Sequence, residues 1–318
     1  MKQPILSIII PTRDNIEALR DGFLRSFVHN TGDVNNVELI FVVDEDDKKT
    51  INFISNEKGF KQLKHFQLLI RKRSLNITDD YYNYGAKKSN GFFVMPGADD
   101  IVINTPNYDL VLIKVRQDLL DIEGIHKKHY LLIKTYGEGN IGKDPDGRDG
   151  HSGFPILTRD SIDRLGYFLA PAGIPGWGAD WFIDTIYTTL NKVAATNPPI
   201  NIAQVSQHSN KKNPSEKEKE KYRRMKEVYL SAITPKENPE IWLEILRAIH
   251  YIVLDNLEKY TPKSKWMKYE ANRVNEAAAT AVGSPIGVIA KGSICPHIYE
   301  EILIGIQQAL YRNFNHIK

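Results

Sequence analysis

The sequence predicts an α/β fold, a sheet of parallel strands with helices on both faces. Three observations carry that expectation. Ile5–Ile10 and Val37–Val43 are continuous apolar, β-rich runs bounded by turn residues, and Ile16–His29 between them places its apolar residues at helical spacing, which makes a β-α-β unit. A third run, Phe66–Ile70, follows another helical stretch. The segment from Asn83 to Asp100 then leads a polar, glycine-marked helix into the short apolar strand Phe92–Met95, which ends on two adjacent carboxylates. Uninterrupted apolar strands alternating with helices imply burial on both faces of the sheet.

Beyond these elements the pattern loosens. Leu110–Val115 and Tyr130–Lys134 read as two further strands, and residues 136–155 are dense in Gly, Asp and Pro. A loop of that length inside a compact domain is usually functional or mobile. A second glycine-rich loop, 173–178, launches a helix over Ala179–Leu190, and Ile202–Val205 reads as a late strand. Asn210–Arg224 is highly charged, and helical spacing governs Tyr222–Ala232, Ile241–Leu257, Trp266–Ala281 and Tyr299–Phe314. The expected organisation is therefore a domain over 1–210 followed by a mainly helical extension over 211–318. Gly137-Glu-Gly-Asn-Ile-Gly142 has the letters of a dinucleotide fingerprint, but it leads into Lys-Asp-Pro-Asp-Gly and not into a helix, so it is a chance match.

Composition excludes several classes. A chain of 318 residues with 42% hydrophobic and 25% charged residues buries a real core and is not disordered. Its single cysteine, Cys295, forms no internal disulfide, so the cytoplasm suits it, and one cysteine leaves no zinc site. No window supplies the ~20 uninterrupted apolar residues that a membrane-spanning helix needs. Charge is uneven: residues 1–210 hold 24 basic against 26 acidic side chains, and 211–273 hold 15 against 10. The basic, helical part is open to a polyanionic partner, although such faces are commonly just solvated.

In parallel sheets ligands gather beyond the carboxyl ends of the strands. Those ends here are Pro11-Thr12-Arg13, Asp44 to Asp47, Arg71-Lys-Arg73 and Asp99-Asp100. Leu6-Ser-Ile-Ile-Ile-Pro-Thr-Arg13, Glu38-Leu-Ile-Phe-Val-Val-Asp44 and the stretch 83–100 together resemble the nucleotide-binding half of family 2 glycosyltransferases. The resemblance runs in order over about residues 4–210. It implies the GT-A fold, a Rossmann-like mixed sheet flanked by helices, and transfer of a sugar from a nucleotide-diphosphate donor, a UDP-sugar first among them.

The resemblance assigns roles residue by residue. Asp99 holds the divalent cation, Mn²⁺ or Mg²⁺, supported by Asp100 and by the late histidine His208. Oxygen donors suit such hard cations, whereas imidazole suits them less well. The family's Asp-x-Asp triplet here reads Gly97-Ala98-Asp99, so one acid is missing. Asp44 holds the base or ribose of the donor, with Pro11, Thr12, Arg13 and Asn83 lining the nucleotide pocket. Asp180, at the start of the helix after the second glycine-rich loop, is the general base, and Asp184 one turn later is the fallback. The family's usual Glu-Asp pair is reduced here to Ala179-Asp180. Trp177 and Trp181 flank this acid and are placed to stack on an acceptor. Each of these residues also has a plain structural reading: Asp99 and Asp100 as turn caps, Asp44 as a helix N-cap, Arg13 as the partner of a neighbouring acid, Asp180 as a first-turn acid on a helix dipole, and the tryptophans as core.

The reading implied is a metal-dependent, inverting glycosyltransferase. Its acceptor is a glycan or, as in phage enzymes that glycosylate DNA, a hydroxymethylated base. The alternative is a GT-A pocket that binds nucleotide sugars or glycans without turnover, which the losses at Gly97 and Ala179 motivate. A nucleotidyltransferase shares the topology but calls for a glycine-rich, basic loop after the first strand, and Pro11-Thr-Arg-Asp stands there instead.

Overall fold

The computed structural model describes residues 3–57, 59–60, 63–123, 128–136, 152–171, 178–190 and 192–204, with scattered helical positions between 241 and 252. Trp177, His208, Cys295, the fingerprint-like run 137–142 and most of the expected C-terminal helices lie outside the described residues. The chain divides into two compact units, one of Met1–Asp184 with Val193–Pro214 and one of Thr185–Lys192 with Ser215–Lys318. In the second, Ile245, Ala248, Ile249 and Ile252 are buried. Among the described residues no helix is long and apolar enough to cross a membrane.

The first unit opens with β1 (Leu6–Thr12), then a helix α1 that is α-helical over Ile16–Ala18, π-wound over Leu19–Leu24 and α-helical again over Arg25–Asn30. β2 (Val37–Asp44) is buried along its whole length, as expected of a central strand covered on both faces. α2 (Lys48–Asn56) starts where Asp47 accepts a hydrogen bond from the N–H of Thr50, an N-cap, and β3 (Phe66–Arg71) follows. Next comes α3, π-wound over Thr78–Asn83 and α-helical over Tyr84–Lys88, and then β4 (Phe93–Pro96). β5 (Ile101–Ile103), α4 (Tyr108–Glu123), β6 (Leu132–Lys134), β7 (Ile156–Thr158), α5 (Arg159–Leu165), α6 (Ala179–Thr189), β8 (Val193–Ala195) and β9 (Ile202–Gln204) complete the described elements.

Seven strands form one sheet in the order β3-β2-β1-β4-β7-β6-β8. β3, β2, β1 and β4 are parallel, β7 runs against both of its neighbours, and β6 and β8 are parallel to each other. This is the mixed, helix-flanked α/β sheet expected for a GT-A arrangement. β5 and β9 form a separate antiparallel pair, with Ile101 opposite Gln204.

Alternation along the central strands sorts the two faces. Ile8, Ile10, Leu39, Phe41 and Val43 join Phe23, Phe27 and Phe60 in the main core, where the Phe60 ring stacks on Phe66 at 5.2 Å and meets Phe41 edge-on at 5.1 Å. The opposite face carries Ile9 and Val42, against which α3 lies. Gly85 permits that contact, because a Cβ there would stand 2.4 Å from Cγ2 of Ile9. At the amino ends of the strands, buried Glu38 accepts hydrogen bonds from Ser7 Oγ (2.5 Å), Gln67 Nε2 (2.9 Å), and the N–H (2.7 Å) and Nδ2 (2.9 Å) of Asn90. A carboxylate with that many donors is satisfied without water.

One expected strand is corrected. Leu110–Val115 belongs to α4, because Tyr108, Leu112, Val115 and Leu119 turn toward the core at helical spacing while Leu110 and Ile113 face outward. A run of adjacent apolar residues hid that period.

Candidate active site

The carboxyl ends of β1, β2, β3 and β4 share one edge of the sheet, and the turn after β1 ties three of them together. Thr12 Oγ1 donates to Asp99 Oδ2 at 2.8 Å, and Asn15 Nδ2 donates to Asp99 Oδ1 at 2.8 Å. Arg13 Nη1 reaches Asp44 Oδ2 (2.7 Å) and Asp46 Oδ1 (2.6 Å), while its Nη2 reaches Asp46 Oδ2 (3.0 Å). Asp14 sits in the left-handed region at φ 50, which is uncommon for a residue with a side chain, and its N–H donates to Asp47 Oδ2 at 2.9 Å. Backbone strain of this kind costs roughly 1–3 kcal/mol and persists where surrounding bonds fix it. Pro11, half-buried, lies opposite Val42 and beyond the last β1 residue paired with β4, so its missing N–H costs no bond to that strand.

The charges follow from these contacts. Hydrogen bonds to Asp46 and then Asp44 drive the Arg13 guanidinium further above its ordinary range, and the Arg13 bond in turn holds the Asp46 carboxyl below the usual carboxylate value. Burial pushes Asp47 up, but its bonds from Thr50 and the Asp14 N–H outweigh that and leave it low. Asp44 is 3% exposed, with Arg13 on one oxygen and the Tyr81 hydroxyl on the other. Arg71, at the end of β3, lies over the rings of Tyr81 (5.0 Å) and Tyr84 (5.7 Å) and pairs with Asp80 at 2.6 Å.

After β4 the chain enters the acid loop. The Gly97 N–H donates to the Ile9 carbonyl at 2.7 Å, and its carbonyl accepts from the Tyr82 hydroxyl at 2.8 Å. A Cβ at position 97 would stand 2.8 Å from Ile8 Cγ2 and 3.1 Å from Ile10 Cγ1. That position faces the core, so an acid there has no room. Asp99 is half-buried; burial drives its carboxyl up, Asn15 and Thr12 oppose the rise, and neighbouring Asp100 adds to it. Asp100 accepts from Gln204 Nε2 at 3.1 and 3.3 Å.

Asp180 is the second residue of α6 and is half-buried, as is Trp181. Its charge is felt at the Tyr82 hydroxyl, which burial, then Asp99, Asp100 and Asp180 keep protonated far above the ordinary tyrosine range. The two acids of the loop and the acid of α6 thus share one neighbour. Asp184 is buried 3.6 Å from Lys134 Nζ. Asn83, expected to line the nucleotide pocket, is 1% exposed and turned inward: Nδ2 donates to the Ala170 carbonyl (2.8 Å) and Oδ1 accepts from the Phe168 N–H (2.8 Å). It supports the edge from beneath.

Sequence reasoning missed Asn15, Tyr81 and Tyr82. The signal available was their place, Asn15 three residues past the end of β1 and the tyrosines directly before Asn83. An open pocket of about 320 Å³ lies beside the β1 turn, lined by Asp14, Asn15, Ile16, Glu17 and Lys49.

The donor set available to a cation is two carboxylates, Asp99 and Asp100. Oxygen donors are what Mg²⁺ and Mn²⁺ prefer, and one or two carboxylates completed by substrate phosphates is their common arrangement. Asp99 accepts from Thr12, Asn15 and the Arg13 N–H, which leaves about one of a carboxylate's roughly four lone-pair sites unused. Among the described residues no group of three or more His, Cys, Asp and Glu is placed to hold a metal ion by itself.

No protein-family model matches the chain, and no curated protein does. Solved structures similar to it include Staphylococcus aureus TarS residues 1–349 in complex with UDP, at 14% identity and a TM-score of 0.45, covering 99% of this chain and 92% of that one. The same TarS segment in complex with UDP-GlcNAc is 15% identical at a TM-score of 0.46, with the same coverage. A mannosyltransferase from Pyrobaculum calidifontis, PcManGT, in complex with GDP-Man and Mn²⁺, is 14% identical at a TM-score of 0.45, covering 98% of this chain and 88% of that one.

Proposed function

We propose that this protein is an inverting glycosyltransferase that takes a nucleotide-diphosphate sugar, a UDP-sugar first, at the carboxyl edge of β1, β2 and β4. The observation that supports it is the convergence on that edge of Thr12 and Asn15 upon Asp99 and of Arg13 upon Asp44 and Asp46. Pro11, Thr12 and Arg13 line the nucleotide pocket. Asp44 faces the base or ribose by exchanging its bond to Arg13 or Tyr81 for one to the nucleotide.

Asp99 and Asp100, joined by His208, would hold Mn²⁺ or Mg²⁺ together with the donor's phosphates. When bound, the cation supplies positive charge against the negative charge that grows on the departing diphosphate. Asp180 accepts the proton of an acceptor hydroxyl while that oxygen attacks the anomeric carbon. The new C–O bond forms as the bond to the diphosphate breaks, so one displacement inverts the centre. Trp177 and Trp181 stack on the acceptor, a glycan or a hydroxymethylated DNA base. Residues 1–210 form the catalytic domain, 211–318 extend it, and the enzyme works in the cytoplasm, where its single cysteine stays reduced.

A second reading, a nucleotide-sugar or glycan binder without turnover, is favoured by the packed glycine at 97 and by Ala179 beside Asp180. One experiment separates the two: incubation with a nucleotide-sugar panel and Mn²⁺, following nucleoside-diphosphate release. Turnover that drops about 10²–10⁴-fold in Asp180→Asn supports the transferase and its base. No release with any donor favours the binder, and full turnover in the variant removes Asp180 as base.

A further inference from the structure

Three consecutive side chains of α3 reach three different loops of the site. The Tyr81 hydroxyl donates to Asp44 Oδ1 at the end of β2. The Tyr82 hydroxyl donates to the Gly97 carbonyl after β4, and Asn83 bridges the Phe168 N–H and the Ala170 carbonyl. Successive side chains on a helix diverge by about 100°, so three in a row fan over roughly half the circumference. The turn that carries them is π-wound, a distortion that recurs at functional sites. Gly85, one turn on, seats the helix directly against Ile9 of β1, which fixes the height of the fan above the sheet.

Tyr82 is the middle member. Its side chain is half-buried, and its oxygen meets the backbone of the acid loop two residues before Asp99. Asp99, Asp100 and Asp180 all act on that oxygen through space. We propose that Tyr82 is a positioning residue: through Gly97 it sets how Asp99 and Asp100 are presented to the diphosphate. The inference rests on the reading of this edge as the donor site, but the tie itself is testable without turnover.

The test is Tyr82→Phe, which keeps the ring and removes only the bond, with Tyr84→Phe as a control for the same change two residues on. Hydrogen exchange is measured on the ligand-free protein, and Mn²⁺ binding in the presence of UDP is followed by the Mn²⁺ resonance signal. Loss of this one part-buried hydrogen bond corresponds to about tenfold faster exchange over 97–100. The expected result is that acceleration in Tyr82→Phe alone, with Phe66–Arg71 unchanged, together with weaker Mn²⁺·UDP binding. Exchange indistinguishable from wild type overturns the tie. Faster exchange with undiminished Mn²⁺·UDP binding overturns the positioning role. Wild-type protein that binds no Mn²⁺·UDP sinks the donor-site reading, and with it that role, whereas the exchange result still decides the tie.

Discussion

Thr12 Oγ1 lies 2.8 Å from Asp99 Oδ2, so the last residue of β1 holds the acid that follows β4. Two neighbouring parallel strands are thereby fastened at the edge where a ligand would sit, and the fastening acts on a carboxylate that burial disfavours.

Thr12→Val keeps the shape of the side chain and deletes this bond. Asp99 then loses one of the contacts that oppose its upward shift. The expected outcome is a further rise in the Asp99 pKa and a stability loss of about 1–2 kcal/mol. Carboxyl-carbon titration by NMR and urea denaturation check the two halves of that statement.

The raised Asp99 carboxyl also fixes a sign for pH dependence. Between the ordinary aspartate value of about 3.9 and the raised one, the folded protein binds more protons than the unfolded chain. Its Asp99 contribution to stability therefore falls as pH increases through that window and is constant above it. Asp99→Asn removes this slope. Denaturation of both proteins between about pH 4 and pH 7 should show wild-type stability declining relative to the variant, then running parallel. Divalent-cation binding at Asp99 should weaken in the opposite direction, as pH is lowered, because proton and metal compete for the same oxygens.

Gly97→Asp restores the triplet in letters only. Its Cβ meets Ile8 and Ile10 before any carboxylate can reach the edge. Overpacking of this kind costs about 1–3 kcal/mol. The variant should melt lower and gain no Mn²⁺ or UDP affinity by calorimetry, and Gly97→Ala should already show most of the destabilisation. A tighter metal site in Gly97→Asp would contradict the packing argument.

The parallel half of the sheet was legible because β1, β2, β3 and β4 are apolar runs closed by turn residues. Of the three-residue strands, β6 and β9 were read from their apolar runs, whereas β5, β7 and β8 were not, since pairing with distant segments defines them. Leu110–Val115 misled for the opposite reason: adjacent apolar residues concealed a helical stripe beginning at Tyr108. Thr12, Arg13, Asp44 and Asp99 were legible as strand-end residues, and the structure joins them in pairs at one sheet edge. Tyr82 and Asn83 show the limit of that approach. Which way each points depends on the winding of α3, and a π turn is not written in any spacing rule, so Asn83 was expected to face a ligand and instead holds Phe168 and Ala170.

The β5–β9 pair has a consequence for how the chain tolerates change. Ile101–Ile103 and Ile202–Gln204 bring together the two ends of residues 104–201, which carry β6, β7 and β8 of the main sheet, and Gln204 grips Asp100 directly where they meet. Lengthening a flexible loop inside a stretch closed in this manner is cheap, about 0.6 kcal/mol for each doubling. Residues inserted in such loops would leave the pairing of Ile101 with Gln204, and the acids at 99 and 100, where they are, so this stretch can diversify without rebuilding the first hundred residues.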